Sequence, residues 1–421
     1  MHSRLPATPL EALKISTALK VIVKTVHTVA DIFGFWKRPS KKAAADFEQM
    51  SLLDKMYWGY KSKKPVRLPE KGLQQETQFI NKKDSIDIPD TFVQENTVTI
   101  GAAGDLIKVD GLEHSSESLY AQIAPLLFDK DISYGNLESQ MTGQDLGDYI
   151  FSDKETPPLC CTTAQYDTLK QYKGKKMTVM HTACNHTLDM GLEGLETTLS
   201  MLENDHILDL GTNRRKDMAE QGRIIEINGI KIGFISATFG LNGKEVPAGK
   251  EYMVNVVKFH PHNQQKENPD LSLLEKQIND CKSQHCDFII ASLHWGYEYE
   301  HFPRIHQVRM AHRLVESGVD AIIGHHSHVL QPVEFYRPRR DLNKTAVIAY
   351  SLGNLTSSFS APHLVLSGIL NLEISKGKLD GKIKTLITAA RLHQVKQEDF
   401  IDDSDQLPKI RLVEIGMGNE R

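Results

Sequence analysis

Three histidines fall within four positions in AIIGHHSHV, residues 321–329, directly after an apolar run that reads as a buried strand. Other apolar runs end the same way. Asp105 follows TIGAAG, Asn136 and Glu138 close DISYGNLE, Asn185 and His186 follow TVMHTAC, and His294 follows FIIASL. Oxygen and imidazole donors without thiolate suit divalent cations such as Mn²⁺, Fe or Zn²⁺, and a carboxylate can bridge two of them. A set of this kind, holding one or two ions, can clamp a phosphoryl group while a metal-activated hydroxide attacks and an imidazole protonates the departing alkoxide. Each residue alone has a plainer reading. Asp after Gly is usually a turn residue, His181 lies inside a strand as a hydrogen-bonded core histidine would, and solvent exposure suffices for His301, His306 and His312. Asn185, Asn343 and Asn354 open N-x-S/T matches that mean little without a secretory signal.

The elements that must position these groups follow from hydrophobic periodicity. TVTIGAAGD, ISYGNLE, KMTVMHTACN, IKIGFISAT, DFIIASLHWG and DAIIGHHSH read as strands. SESLYAQIAPLLF, GLEGLETTLSMLEND, LSLLEKQINDCKSQ and IHQVRMAHRLVESG read as helices between them, the alternation of a sheet covered by helices. After residue 345, TAVIAYSLGN, LVLSGILNLEIS and KIKTLITAARLH predict an antiparallel portion. In open α/β sheets, ligands gather beyond the carboxyl ends of the strands, where this chain concentrates its donors.

With 421 residues, 40% of them hydrophobic, the chain can bury a large core in one big α/β domain or two smaller ones. A net charge of -4 without a long basic block gives no footprint for nucleic acid. Five cysteines do not make a disulfide framework, and a reducing compartment is the simpler reading. Residues 13–36 form an amphipathic helix with a basic face, interrupted by Lys14, Lys20, Lys24, His27 and Asp31, which argues against both a spanning helix and a signal peptide. It either packs on the main domain or a partner, or touches a membrane surface. A cytoplasmic or membrane-peripheral location follows. Residues 37–96 carry turn and linker chemistry, so 1–96 reads as an extension, 97–375 as the main domain and 376–421 as a C-terminal strand and tail.

GAAGDLI, GNLESQMTG, ACNHTLDMGLEGLETTLSML, GIKIGFIS, SLHWGYEYEHFP, GVDAIIGHHSHVLQPVEFY and AVIAYSLGNL occur in this order. Together they resemble the CapA family of bacterial capsule and poly-γ-glutamate synthesis, itself similar to calcineurin-like metallophosphoesterases. The resemblance covers residues 97–358, and HWGYEY and YSLGN are its specific motifs. It implies a four-layer α/β/β/α sandwich of the metallophosphoesterase type with a mostly helical N-terminal extension. It also implies metal ligands at Asp105, Glu138 as the bridging carboxylate, Asn185, His294, His326 and His328, with His186 as the acid. Asn136, Glu298, His325 and Asn354 fall in substrate-contacting or supporting positions, and Tyr299 in a packing one. Glu298 either orients a ligand imidazole or contacts substrate.

Two departures stand out. Ile107 occupies the position, two after Asp105, where metallophosphoesterases usually carry histidine, so one ion site is expected to be weak or empty. Cys184 stands where such chains commonly have asparagine, as a small buried side chain or a soft ligand. The implied function is a metal-dependent phosphoesterase acting in capsule or poly-γ-glutamate biosynthesis on a phosphorylated or polyanionic substrate, beside capsule-synthesis proteins. The alternative is a non-catalytic accessory protein that binds a polyanionic polymer or phosphate-bearing intermediate during assembly or export. Ile107 favours the second, Asn185-His186 and GHHSH the first. Hydrolysis of peptide or amide bonds is a third class, because an activated hydroxide is not selective for phosphorus.

Overall fold

The computed structural model describes residues 5–13, 15–41, 43–46, 49–77, 86–141, 158–260 and 269–416. Helices α1 (Thr17–Phe33) and α2 (Leu52–Lys63) precede strands β1 (Phe92–Leu106), β2 (Ile132–Leu137) and β3 (Val179–His181). Helix α3 (Gly191–Asn204) leads to β4 (Leu208–Leu210), β5 (Arg223–Ile227) and β6 (Ile230–Thr238). Helix α4 (Ser272–Ser283) leads to β7 (Phe288–His294), and α5 (Ile305–Ser317) to β8 (Ala321–His325). Strands β9 (Val333–Tyr336), β10 (Ala346–Ala349), β11 (Asn354–Thr356), β12 (Leu366–Leu379), β13 (Lys382–Ile401) and β14 (Pro408–Glu414) complete the chain.

Two large sheets result, beside two short two-stranded ones, and the protein is a mixed α/β structure. One runs β14-β13-β12-β1-β2-β3-β4 with β11 also paired to β1; the other runs β9-β10-β8-β7-β6-β5. Strands β1 to β4 are mutually parallel, as are β6, β7, β8 and β10. Strands β7 and β8 are buried along their whole length, which explains why they read as continuous apolar runs. Their successive residues serve opposite faces. Phe288 and Ile290 join Val98, Ile100 and Ala102 of β1 in a cluster shared by both sheets, whereas Ile289, Ala291 and Leu293 pack with Leu274 and Ile278 of α4 and Val308 and Leu314 of α5. Ala103 and Leu106 of β1 belong to a third cluster with Tyr120, Tyr166 and Leu202.

Several local expectations change. The helix predicted over 116–128 is reduced to Ala124–Leu127, because Pro125 lacks an N–H and would collide with the carbonyl four residues back; here it opens a short helix instead. The strand predicted in KMTVMHTACN shrinks to β3. The portion after 345 is not uniformly antiparallel: β10 runs parallel to β8 and β11 parallel to β1, and only β12 to β14 form an antiparallel meander. Strand β1 spans Phe92–Leu106 and β12 spans Leu366–Leu379.

The N-terminal extension is docked on this body. Helix α1 ends at Gly34, whose left-handed φ of +66° suits glycine after a helix C-terminus. Its Ala30 is buried, and Asp31 accepts a 2.7 Å hydrogen bond from the Tyr60 hydroxyl of α2. Helix α2 is fastened to the body through Glu300, which accepts from Tyr57 Oη at 3.2 Å, Lys61 Nζ at 3.1 Å and Arg304 Nη2 at 2.8 Å. No helix among the described residues is long and apolar enough to cross a membrane.

Candidate metal centre

The carboxyl ends of the parallel strands in both sheets meet, and the expected donors meet with them. Asp105, one residue from the end of β1, is fully buried; its Oδ1 accepts from Asn136 Nδ2 at 2.8 Å and lies 3.0 Å from His325 Nδ1 on the other sheet. Such closeness needs bare backbone nearby. A Cβ on Gly104 would lie 1.9 Å from the Gly353 carbonyl oxygen, in the turn that leads into β11. Glu138 follows β2 and faces His294 Nε2 at 3.6 Å and His328 Nε2 at 3.8 Å. His294, the last residue of β7, approaches Asn185 Oδ1 at 2.9 Å. His326 and His328, just beyond β8, have left-handed φ values of +86° and +56°, a strained conformation for side chains of this size and a common mark of functional loops.

Two overlapping triplets of donors could hold a metal ion: Asp105, Glu138 and His294, and Glu138, His326 and His328, each with its ligand atoms within 4.8 Å of one another. Glu138 belongs to both. Neither of its oxygens has a hydrogen-bond partner among the described residues, nor does either ring nitrogen of His326, although all are buried. Such groups are costly in a core unless something else satisfies them. A divalent cation fits this donor set, since it would meet hard oxygen and imidazole ligands with no thiolate.

The electrostatics point the same way. Burial pushes the Glu138 carboxyl well above its ordinary range, and neighbouring Asp105 and Glu298 add to the shift against the pull of His328. Burial takes His326 down to about 3. At His328 burial is outweighed by Glu138, Glu298 and Asp105, which raise it to about 10. Crowded carboxylates of this kind form a pocket of negative potential that favours a cation.

The supporting positions also assemble. His325 hydrogen-bonds Tyr134 Oη at 2.7 Å and thereby fixes the ring that holds Asp105. Asn354 Oδ1 meets His328 Nδ1 at 2.9 Å, and Glu298 Oε1 lies 3.6 Å from His328 Nε2. Ile107 is buried, its amide donating to Thr356 Oγ1 at 2.9 Å, and Cys184 is a buried thiol beside Thr187. The five cysteines are all free. Tyr299 packs in a small apolar cluster with Val329 and Leu364.

His186 faces a cavity of about 430 Å³ that also reaches Asn185, His326 and His328. Its Nδ1 lies 2.6 Å from Asp189 Oδ2, and Asp189 is itself held by Lys244 Nζ at 2.8 Å and the Leu159 amide at 2.8 Å. Burial would raise the Asp189 carboxyl, but His186 and Lys244 draw it below its ordinary range. Sequence reasoning missed Asp189, although its i+3 spacing in NHTLD was a usable signal. It also missed Asn242, which accepts from Asn185 Nδ2 at 3.1 Å, and Trp58, whose indole N–H donates to Glu298. Two readings are corrected. His181 is a core residue, but neither ring nitrogen has a partner among the described residues. His301, His306 and His312 are half-buried, not solvent-exposed; His301 lies in the loop before α5, while His306 approaches His260 at 3.4 Å and His312 meets Glu334 at 2.9 Å from that helix.

The fold and site define an α/β protein with a buried, carboxylate-sharing cluster of candidate metal ligands at the junction of two sheets. Residues 98–358 match the family described as "Bacterial capsule synthesis protein PGA_cap", and the chain belongs to that family. It is 29% identical over 243 residues to the PGA biosynthesis protein CapA of Bacillus subtilis, covering 58% of this chain and 57% of that protein. It is 28% identical over 244 residues to the capsule biosynthesis protein CapA of Bacillus anthracis, covering 57% and 54%. A probable polyglutamine synthesis accessory protein of Mycobacterium tuberculosis is 26% identical over 213 residues, covering 49% and 52%. The chain thus spans little more than half the length of the curated relatives it matches.

Proposed function

We propose that this protein is a metal-dependent phosphoesterase-type member of its family that acts in capsule or poly-γ-glutamate biosynthesis. In this reading its two sheets and their covering helices form the four-layer sandwich of the metallophosphoesterases. The observation that carries the proposal is Glu138, a buried carboxylate without hydrogen bonds, shared by two triplets of candidate ligands. Asp105, Glu138 and His294, with Asn185 beside them, would hold one ion; Glu138, His326 and His328 would hold the other. When bound, divalent ions in such a site neutralise charge on a phosphoryl group and lower the pKa of water.

The chain's own residues do the rest. Asp105 is kept in place by Asn136 and His325, so its free electron pairs keep one direction. Asp189 occupies His186 Nδ1 and leaves Nε2 as the proton-bearing atom toward the cavity; its carboxylate stabilises the imidazolium that protonates a departing oxygen. The donor side chains are buried, which strengthens these charge interactions. We place the acid role on His186 and supporting roles on Glu298, Asn354 and His325. The division into an N-terminal extension (1–96), a main domain (97–375) and a C-terminal strand and tail (376–421) is part of the same proposal.

Ile107 favours a second reading, an accessory protein that binds a polyanionic chain without cleaving it, because a buried isoleucine cannot complete a histidine-containing ion site. The test separates the two. Protein purified without chelator is assayed for bound metal and for hydrolysis of phosphomonoester and phosphodiester model substrates with Mn²⁺. His186→Ala is expected to lower kcat about 10²- to 10⁴-fold while bound metal persists. Bound metal and polymer binding without any turnover in the wild-type protein would move the assignment to the accessory reading.

The capsule-synthesis partners and the membrane contact belong to this proposal too. Helix α1 shows Val21, Ile22, Val29, Ile32 and Phe33 to solvent at 40–72% exposure, with Lys20 and Lys24 exposed on the same helix. An apolar face beside basic side chains suits the surface of an anionic bilayer.

A further inference from the structure

The cavity at the candidate metal centre has a second end that the phosphoesterase reading does not use. Away from His186, His326 and His328 its wall is apolar, made by Leu10, Leu13, Leu19, Val23 and Met56. All five lie outside the matched family region, which begins at residue 98. The extension therefore adds a hydrophobic surface to the site from outside the matched family region. Ile107, at the position where a metal ligand was expected, also lines this cavity, as does Phe359. A purely ionic polymer would gain nothing from such walls. At about 430 Å³, the space is within the size range of sites for organic ligands.

We propose that the ligand of this site is an amphipathic phosphoester, with its anionic head at the candidate metal ligands and its apolar tail along the wall built by the N-terminal extension. This rests on the phosphoesterase reading for the head and on the cavity alone for the tail. The donor cluster suits a cation and an anionic oxygen group, and Lys108 also lines the cavity. The roof is packed on the body: Gly59 of α2 brings its backbone against Leu10, where a Cβ would lie 3.3 Å from Leu10 Cδ1, and α2 is anchored at buried Glu300. Helix α1 has two apolar sides. Leu19 and Val23 face the cavity, and Val21, Ile22, Val29 and Ile32 face outward, which points to a lipid surface as the source of the ligand.

The test titrates the full Mn²⁺-loaded chain with alkyl phosphates from ethyl to octyl, each below its aggregation concentration, by calorimetry. Affinity is expected to rise about fourfold per methylene, the increment for moving one from water into an apolar site. Leu10→Gln and Val23→Gln should each flatten that rise, with thermal unfolding run alongside; a rise in the wild-type protein stands by itself if either variant fails to fold. Equal affinity for ethyl and octyl phosphate overturns the tail site. If model phosphoesters are still hydrolysed in that case, the proposed function survives without it. A steep chain-length dependence with no phosphoester turned over by the Mn²⁺-loaded protein has the opposite meaning: the tail site stands and the phosphoesterase reading falls. Capture of octyl phosphate from solution but never from phosphatidylcholine vesicles would overturn the lipid surface as its source.

Discussion

Glu138 is a fully buried carboxylate that belongs to both candidate ligand triplets. Glu138 has no hydrogen-bond partner among the described residues, and burial already favours its neutral form in the apo protein, so an amide in its place should cost the fold little. Glu138→Gln is therefore expected to lower bound metal sharply while changing unfolding free energy in chelator by less than about 1 kcal/mol, whereas breaking a structural buried pair costs about 3–5 kcal/mol. Metal content and chemical unfolding decide it: a variant that keeps its metal and loses several kcal/mol would make Glu138 a structural group. At this scale the sequence was informative. Asp105, Asn136, Glu138, Asn185, His294, His326 and His328 were legible because each stands at or just past a continuous apolar run, and parallel strands bring such positions to one edge. The role of His325 as a brace was legible only as a misfit in GHHSH; its Tyr134 and Asp105 contacts come from different strands.

Among the elements, α2 matters most. It contributes Trp58 to Glu298, and so to His328, from 240 residues away in the chain. Its anchor is Glu300. Burial would raise that carboxyl, but Arg304 and Lys61 overcome it and hold Glu300 at about 2, below its ordinary 4.5. Because the folded value is depressed, the stabilisation is fully present above about pH 4.5 and is lost as pH falls toward 2. Glu300→Gln leaves two buried cations unmatched and is expected to cost about 3–5 kcal/mol at pH 7, a deficit that shrinks on acidification through that window. Urea unfolding at several pH values checks this, and a pH-independent difference between variant and wild type would refute the linkage. Neither α2 contact was readable beforehand, since a residue pair separated by more than two hundred positions leaves no local pattern. The lost helix at 116–128 shows the converse case, in which a helical period was legible but one proline decided the backbone.

For the whole molecule, the consequence is a site placed between three contributors: two sheet edges and an N-terminal roof. The outer side of that roof, on α1, should bind anionic vesicles, and Ile32→Asp with Phe33→Asp should abolish co-sedimentation without altering hydrolysis of short model phosphoesters. Binding should also weaken as salt rises, because the lysine contribution is screened. A wild-type protein that stays in the supernatant at low salt would remove membrane contact from the proposal.

The sequence by itself determined the α/β class, the strand-end placement of the donors, and membership in a capsule-synthesis family, because apolar periodicity and short motifs are local properties of the chain. Tertiary structure alone decided that Asp189 contacts His186, that Trp58 contacts Glu298, and that residues of the extension give the cavity an apolar wall. These depend on which distant surfaces are pressed together when the core forms, and burial is a property of the packed whole, not of any stretch of it.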